Sequence, residues 1–168
     1  MIKNWQLGTI TTVAVLALTT ASNAAAAELK GRVIGVNDGD TITVLSNNHQ
    51  ERIRLAEIDC PEMKQPFGNQ AKKHCARLCF NKAVTVSYSR RDRFKRIVGQ
   101  VKLPNGHSLN HELVRVGMAW CFTKYCKDPL VSELEQQARN KRLGLWQDKN
   151  SIPPWQWRAQ AAQAKAPF

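Results

Sequence analysis

The chain has 168 residues, with 25 Lys and Arg against 13 Asp and Glu for a net charge of +12. That length holds one compact domain and excludes a large multidomain assembly, while the charge favours polyanionic partners without selecting a fold. On charge alone nucleic acid is the leading partner and an anionic membrane or cell-wall polymer the alternative; the basic residues are spread along the chain and densest over Arg90–Arg96, so they do not form a separate basic tail.

Lys3 precedes an uncharged stretch from Gln6 to Thr20 whose apolar part, Ile10 to Leu18, is short for a membrane span. Small residues follow from Ser22 to Ala27. Residues 1–27 therefore read as a signal peptide, which places the mature protein in the periplasm or the medium with no stable membrane insertion. Its removal takes away one lysine and no acid, so the remaining domain stays strongly basic.

The first half of the remaining chain is rich in strands. Gly31 to Val36 and Thr41 to Leu45 are β-branched runs separated by Asn37-Asp38-Gly39, and Glu51 to Ile58 follows a turn at Asn47-Asn48. Gln70 to Phe80 carries a helical stripe of Ala71, Cys75, Leu78 and Cys79. Val84 to Tyr88 and Ile97 to Leu103 alternate as strands on either side of the basic loop. Asn110 to Val116 predicts a short helix ending at Gly117, and Leu130 to Arg142 a longer one stopped by Gly144. The Pro153-Pro154-Trp155-Gln156-Trp157-Arg158 segment reads as a tail folding back through its tryptophans, with disorder expected over residues 159–168. Five strands with a helix between the third and fourth suggest an α+β fold built on an OB-type barrel.

Five cysteines in an exported chain imply at least one disulfide and one thiol left over. Cys121 and Cys126 are spaced to close a small loop, whereas Cys75 and Cys79 share a helix face but suit disulfide geometry poorly. His49, His74, His107 and His111 are scattered and read as surface or core residues.

Two acidic motifs stand out. Asp38-Gly39 between apolar strands needs only a hairpin to explain it, but Asp40 opens a strand, where a charge is disfavoured unless solvated or bound. The segment from Arg54 to Glu62 puts Arg54, Asp59 and Glu62 around a strand end terminated by Pro61. Uninterrupted alternation would set Arg54, Ala56 and Ile58 on one face and Leu55, Glu57 and Asp59 on the other, with the Cys60-Pro61 turn swinging Glu62 back toward Arg54. Aspartates with a backbone carbonyl and waters suit calcium, which takes oxygen ligands at about 2.3–2.6 Å in irregular coordination. An Arg54–Glu62 surface pair is the plainer reading of part of this motif.

The Asp38-Gly39-Asp40-Thr41 hairpin, the Arg54-to-Glu62 segment and the basic Asp92-Arg93-Phe94-Lys95-Arg96 segment, in this order and spacing, resemble the thermonuclease family. The likeness runs from about Gly31 to Trp146 and includes Leu113–Ala119 and Leu143–Trp146. The resemblance implies a five-stranded OB barrel capped by about three helices over residues 28–150, followed by the tail of residues 151–168. It also implies calcium-dependent endonucleolytic cleavage of DNA and RNA by a monomer, leaving 3′-phosphate and 5′-hydroxyl ends. Carried onto this chain, Asp40, Asp59 and the carbonyl of Cys60 would hold Ca2+, Arg54 and Arg96 would grip the scissile phosphate, and Glu62 would be the general base.

The chain departs from the family pattern where Cys60 replaces a threonine, Phe94 a tyrosine and Lys95 a glycine, so a differently shaped loop is expected before Arg96. Trp120, Phe122 and Tyr125 would either stack on bases or pack the barrel mouth. A non-catalytic OB-fold module that binds nucleic acid would need the basic surface and these aromatics, but not Asp40, Arg54, Asp59, Glu62 and Arg96 together.

Overall fold

The computed structural model describes residues 27–164; all of the expected signal peptide except Ala27, and the last four residues, lie outside them. In chain order the elements are β1 (Ala27–Val36), β2 (Thr41–Ser46), β3 (His49–Leu55), β4 (Ile58–Asp59), α1 (Gly68–Cys79), β5 (Ala83–Arg91), β6 (Ile97–Lys102), α2 (Leu109–Arg115), β7 (Trp120–Cys121), α3 (Pro129–Asn140) and α4 (Pro154–Gln163). A 3₁₀ turn spans Gly144–Gln147.

Five strands close a barrel in the order β1-β2-β3-β6-β5, and β4 pairs with β7 outside it. This is the OB-type α+β architecture. Alternation explains the closure: Val33, Ile42, Val44, Ile53, Leu55, Val84, Val86, Ile97 and Val101 all point inward and are buried, with more polar neighbours between them. The β2–β3 hairpin turns at Asn47 and Asn48, both at positive φ, the conformation that a two-residue hairpin needs and asparagine tolerates. One pairing in the barrel is parallel, with Ile53, Arg54 and Leu55 of β3 opposite Ile97, Val98 and Gly99 of β6, and α1 and β5 lie between these strands in sequence.

The helices cap the barrel through their apolar stripes. Ala71, Cys75 and Cys79 bury one face of α1, and Val131, Leu134 and Ala138 one face of α3. Ser108 caps α2 by accepting from the His111 N–H, and Asp128 caps α3 by accepting from the Leu130 N–H. Buried Asn110 of α2 accepts from the Val101 N–H at 3.1 Å and donates to the Ala56 carbonyl at 2.9 Å, tying α2 both to the barrel and to the exit of β3.

The C-terminal segment folds back through Trp155 as expected, but it does so as a helix. Pro154, whose φ suits a first helical position, opens α4, and residues 159–163 are helical where disorder was expected. Trp155 docks the helix on a second apolar cluster of Trp120, Ala138, Leu145 and Trp146. Trp120 and Trp146 meet edge to face with centroids 4.3 Å apart.

Gly117 and Gly144 connect the two outlying segments of the family resemblance. Both have positive φ, and a Cβ on either would collide with the backbone of the other's turn, where Leu145 N donates to the Gly117 carbonyl at 2.9 Å. Gly117→Ala should therefore lower unfolding free energy by roughly 2 kcal/mol or more, combining backbone strain with a forced separation of the turns. Urea denaturation checks this, and an unchanged midpoint would show that the contact is dispensable.

Candidate active site

The site forms where β1 turns into β2 and where β3 ends. Asp38 Oδ1 accepts from the Asp40 N–H at 3.1 Å, shaping the turn, and the Asp40 carbonyl accepts from Leu55 N at 2.8 Å, locking the start of β2 to the end of β3. Gly39 is required by space: a Cβ there would meet Cys60 Cβ at 2.6 Å and Ala71 Cβ at 2.9 Å. The turn can thus pack directly on the Cys60 segment, and the Cys60 N–H donates to Asp40 Oδ2 at 2.6 Å.

Strand alternation does not continue past Leu55. The chain reverses at Ala56-Glu57, with Glu57 at φ +67, before resuming as β4. That reversal returns Asp59 to the side of Arg54, against the expectation from uninterrupted pleating. Arg54 Nη2 pairs with Asp59 Oδ1 at 2.7 Å and Nη1 with Asp40 Oδ2 at 3.1 Å. Nη1 also donates to the carbonyls of Leu55 at 3.0 Å and Ile58 at 2.9 Å, so the reversal itself holds the guanidinium. Asp40 and Asp59 are 6% and 1% exposed. Burial pushes the Asp40 carboxyl up to about 7; Arg54 and the Cys60 N–H oppose this, while Asp38 and Asp59 add to it.

Glu62 lies at the edge of this group and pairs with Arg158 of α4 rather than with Arg54, Arg158 Nη1 being 2.6 Å from Glu62 Oε1. The same guanidinium reaches Asp59 Oδ2 through Nη2 at 2.8 Å. Burial disfavours the Arg158 charge, but its hydrogen bonds to Asp59 and Glu62 outweigh this and raise its pKa. Arg158 is the principal residue of the site that sequence reasoning missed; the prolines opening its helix were a signal, but the tryptophans drew the only structural inference.

Arg96 stands in the same cleft but is held separately. Its Nε and Nη2 each lie 2.8 Å from Asp92 Oδ2, while Asp92 Oδ1 accepts from the N–H groups of Phe94 and Arg96. Burial works against the Asp92 charge, yet the Arg96 side chain and backbone prevail and keep its pKa below the ordinary value. Lys95 takes φ +63, so this loop keeps a glycine-like backbone without glycine, and the exposed Phe94 ring lies under the guanidiniums of Arg93 and Arg96.

A cleft of about 770 Å³ joins these parts. Its floor carries Asp40, Arg54 and Asp59, and Arg90, Arg91, Arg93, Arg96 and Lys124 contribute positive charge to its lining. The aromatics divide: Trp120 is buried in the second cluster, while Tyr125 stays exposed at the cleft, edge to face with Phe122, which in turn stacks on Trp155 at 5.2 Å. Cys60 contributes its N–H to Asp40, and burial raises its thiol well above the ordinary value. Cys121 and Cys126 are joined as a disulfide, with Cα atoms 5.8 Å apart; Cys60, Cys75 and Cys79 are buried free thiols. His111 pairs with Asp128 at 2.9 Å, and neither residue lines the cleft.

The model of the family described as staphylococcal nuclease homologue matches residues 52–148. The chain belongs to this nuclease family. It is 45% identical over 132 residues to an uncharacterised endonuclease of Escherichia coli, covering 79% of this chain and 86% of that one. Identity to a micrococcal nuclease of Shigella flexneri is 39% over 168 residues, covering 94% and 97% of the two chains. The protein ParB of Escherichia coli is 38% identical over 158 residues, with 88% and 89% covered. The matched family region includes Arg54, Asp59, Cys60, Glu62 and Arg96, whereas Asp40 precedes it and Arg158 follows it.

Because Asp92 holds both the loop and the Arg96 guanidinium, Asp92→Ala should leave the barrel folded but lower nuclease turnover by roughly 10- to 100-fold through misplacement of Arg96. Single-turnover cleavage measured alongside circular dichroism tests this; full turnover would mean that Arg96 needs no such support.

Proposed function

We propose that this protein is an exported, calcium-dependent endonuclease that hydrolyses phosphodiester bonds of DNA and RNA as a monomer, leaving 3′-phosphate and 5′-hydroxyl ends. The supporting observation is the pair of buried carboxylates, Asp40 and Asp59, organised around the partly buried Arg54 at the floor of a basic cleft. The donor set suits a hard cation, since it consists of carboxylate oxygens, and burial raises the Asp40 pKa by more than the neighbouring Arg54 lowers it. Asp40, Asp59 and the Cys60 carbonyl would hold the ion. Calcium bound there would supply divalent charge to oppose the negative charge that develops on the phosphate during attack.

The chain's own residues supply the remaining chemistry. Arg54 is preorganised by the Leu55 and Ile58 carbonyls and both aspartates, so little reorganisation accompanies its interaction with an incoming phosphate. Arg96 approaches from the β5–β6 loop and offers a second planar guanidinium, a shape suited to paired phosphate oxygens. Glu62 would accept the proton of the attacking water. Tyr125, exposed beside Lys124, offers a stacking face to a base.

A non-catalytic binding module is the weaker reading. Buried acids on the floor of the cleft repel phosphate unless a cation offsets them, a poor arrangement for binding alone. The Cys121–Cys126 pair suits an oxidising compartment and supports export. Among the described residues no helix is long and apolar enough to cross a membrane.

Digestion of plasmid DNA and of RNA with calcium, then with chelator, tests the proposal directly: cleavage should require calcium, and full activity in chelator would overturn the mechanism. Arg54→Lys and Arg96→Lys should each reduce turnover on the order of 10²- to 10³-fold, with a smaller loss of nucleic-acid binding. Glu62→Gln should retain calcium affinity in calorimetry while losing turnover; wild-type turnover in that variant would remove Glu62 from the role of base.

A further inference from the structure

We propose that Arg158, carried on the C-terminal helix α4 beyond the matched family region and anchored on Glu62, competes with the divalent cation for Asp59, so that α4 sets how readily the site loads metal. This inference rests on the calcium reading above and adds to it a regulator contributed by the same chain.

The argument begins with which carboxylate oxygens are engaged. Asp59 Oδ1 is held by Arg54, whose Nη1 is itself tied to the Leu55 and Ile58 carbonyls inside the fold. The other oxygen, Oδ2, is held by Arg158 at 2.8 Å. A cation that draws on Asp59 must therefore share an oxygen with one of the two guanidiniums or displace it, and sharing sets two positive charges side by side. Arg54 is fixed by four acceptors and its side chain is 14% exposed, whereas the Arg158 side chain is 44% exposed and its hydrogen bonds are to Asp59 and Glu62. Arg158 is the one that yields. Its like charge also opposes a nearby divalent ion directly.

The helix places this arginine by contacts separate from the acids. Trp155, three residues earlier and thus one helical turn away, stacks on Phe122 at an interplanar angle of 7° and meets Trp120 edge to face. Pro154 is buried at the helix start, and Gln65 Nε2 donates to the Ile152 carbonyl just before it. Releasing the guanidinium from the carboxylates therefore leaves α4 docked. The side chain can swing into the cleft while its helix stays in place.

Calcium titration calorimetry on the full mature chain, without nucleic acid, provides the test for wild type, Arg158→Gln and Arg158→Lys. Removing the competing charge should tighten calcium binding by about 3- to 10-fold in Arg158→Gln, with Arg158→Lys closer to wild type, the range expected for a half-exposed ion pair coupled to a second site. Raising the ionic strength should narrow the difference between the two variants. Calcium binding by Arg158→Gln that is unchanged or weaker than wild type would overturn the competition, the weaker case meaning that Arg158 positions the ligands instead. Loss of calcium binding in Asp40→Ala identifies the site being titrated. Heat released by wild type and lost in that variant leaves the calcium reading standing whatever Arg158 does, whereas no heat in any form would overturn that reading and the competition with it.

Discussion

Everything at this site depends on one partly buried guanidinium. Arg54 sits between Asp40 and Asp59, two carboxylates that would repel each other at close range, and its positive charge makes their joint burial tolerable. The three groups come from the start of β2, the end of β3 and the short β4, so the ion pairs also hold three chain segments in register. Replacing Arg54 with a neutral residue would leave two buried acids facing each other, an arrangement relieved only by protonation, solvent entry or a cation. The residue assigned to phosphate recognition is therefore also the residue that makes the acidic floor possible, and its two roles are inseparable by simple deletion.

Support reaches this floor from outside the barrel as well. Asn110 holds the Ala56 carbonyl immediately before the reversal at Glu57, and the reversal positions Asp59. Its other contacts run to the β6 backbone, so a neutral side chain on α2 coordinates the geometry of charged groups it does not touch. The Gly39 turn contributes by absence: without a side chain it lets Cys60 approach closely enough for its N–H to meet Asp40. Arg96 is supported differently, by an acid four residues earlier in its own loop, which makes its placement a local matter while that of Arg54 is tertiary.

The barrel was legible in the sequence because its strands alternate cleanly and its hairpins carry recognisable turns. Thr41 to Leu45 and Ile97 to Leu103 show a period of two, and Asn47-Asn48 marks a turn on its own. The order and spacing of the motifs picked out the candidate residues, of which the structure brings Asp40, Arg54 and Asp59 into contact, but they did not reveal the geometry. Pleating placed Arg54 and Asp59 on opposite faces because nothing in Ala56-Glu57 announces a residue at positive φ; that conformation is imposed by tertiary contacts such as Asn110. The terminal helix was missed for a related reason. Trp155 and Trp157 are two apart and an alanine-rich run follows, so there is no apolar stripe of helical period, and the docking surface comes from Trp120, Phe122 and Trp146, far back along the chain. Nothing in that segment marks Arg158 as a partner of Asp59, which lies 99 residues earlier.

The parallel seam of the barrel has a consequence for when the molecule acquires its chemistry. Arg54 belongs to β3 and Arg96 immediately precedes β6, and these two strands meet only after α1 and β5 have been threaded between them. The β1–β2–β3 meander and the β5–β6 hairpin are local structures that form from neighbouring sequence, each bringing one arginine, but neither half contains both. Joining them is the non-local and therefore slower event in assembly. A chain with all its hairpins in place but an open barrel thus carries both arginines without the cleft they share in the closed one.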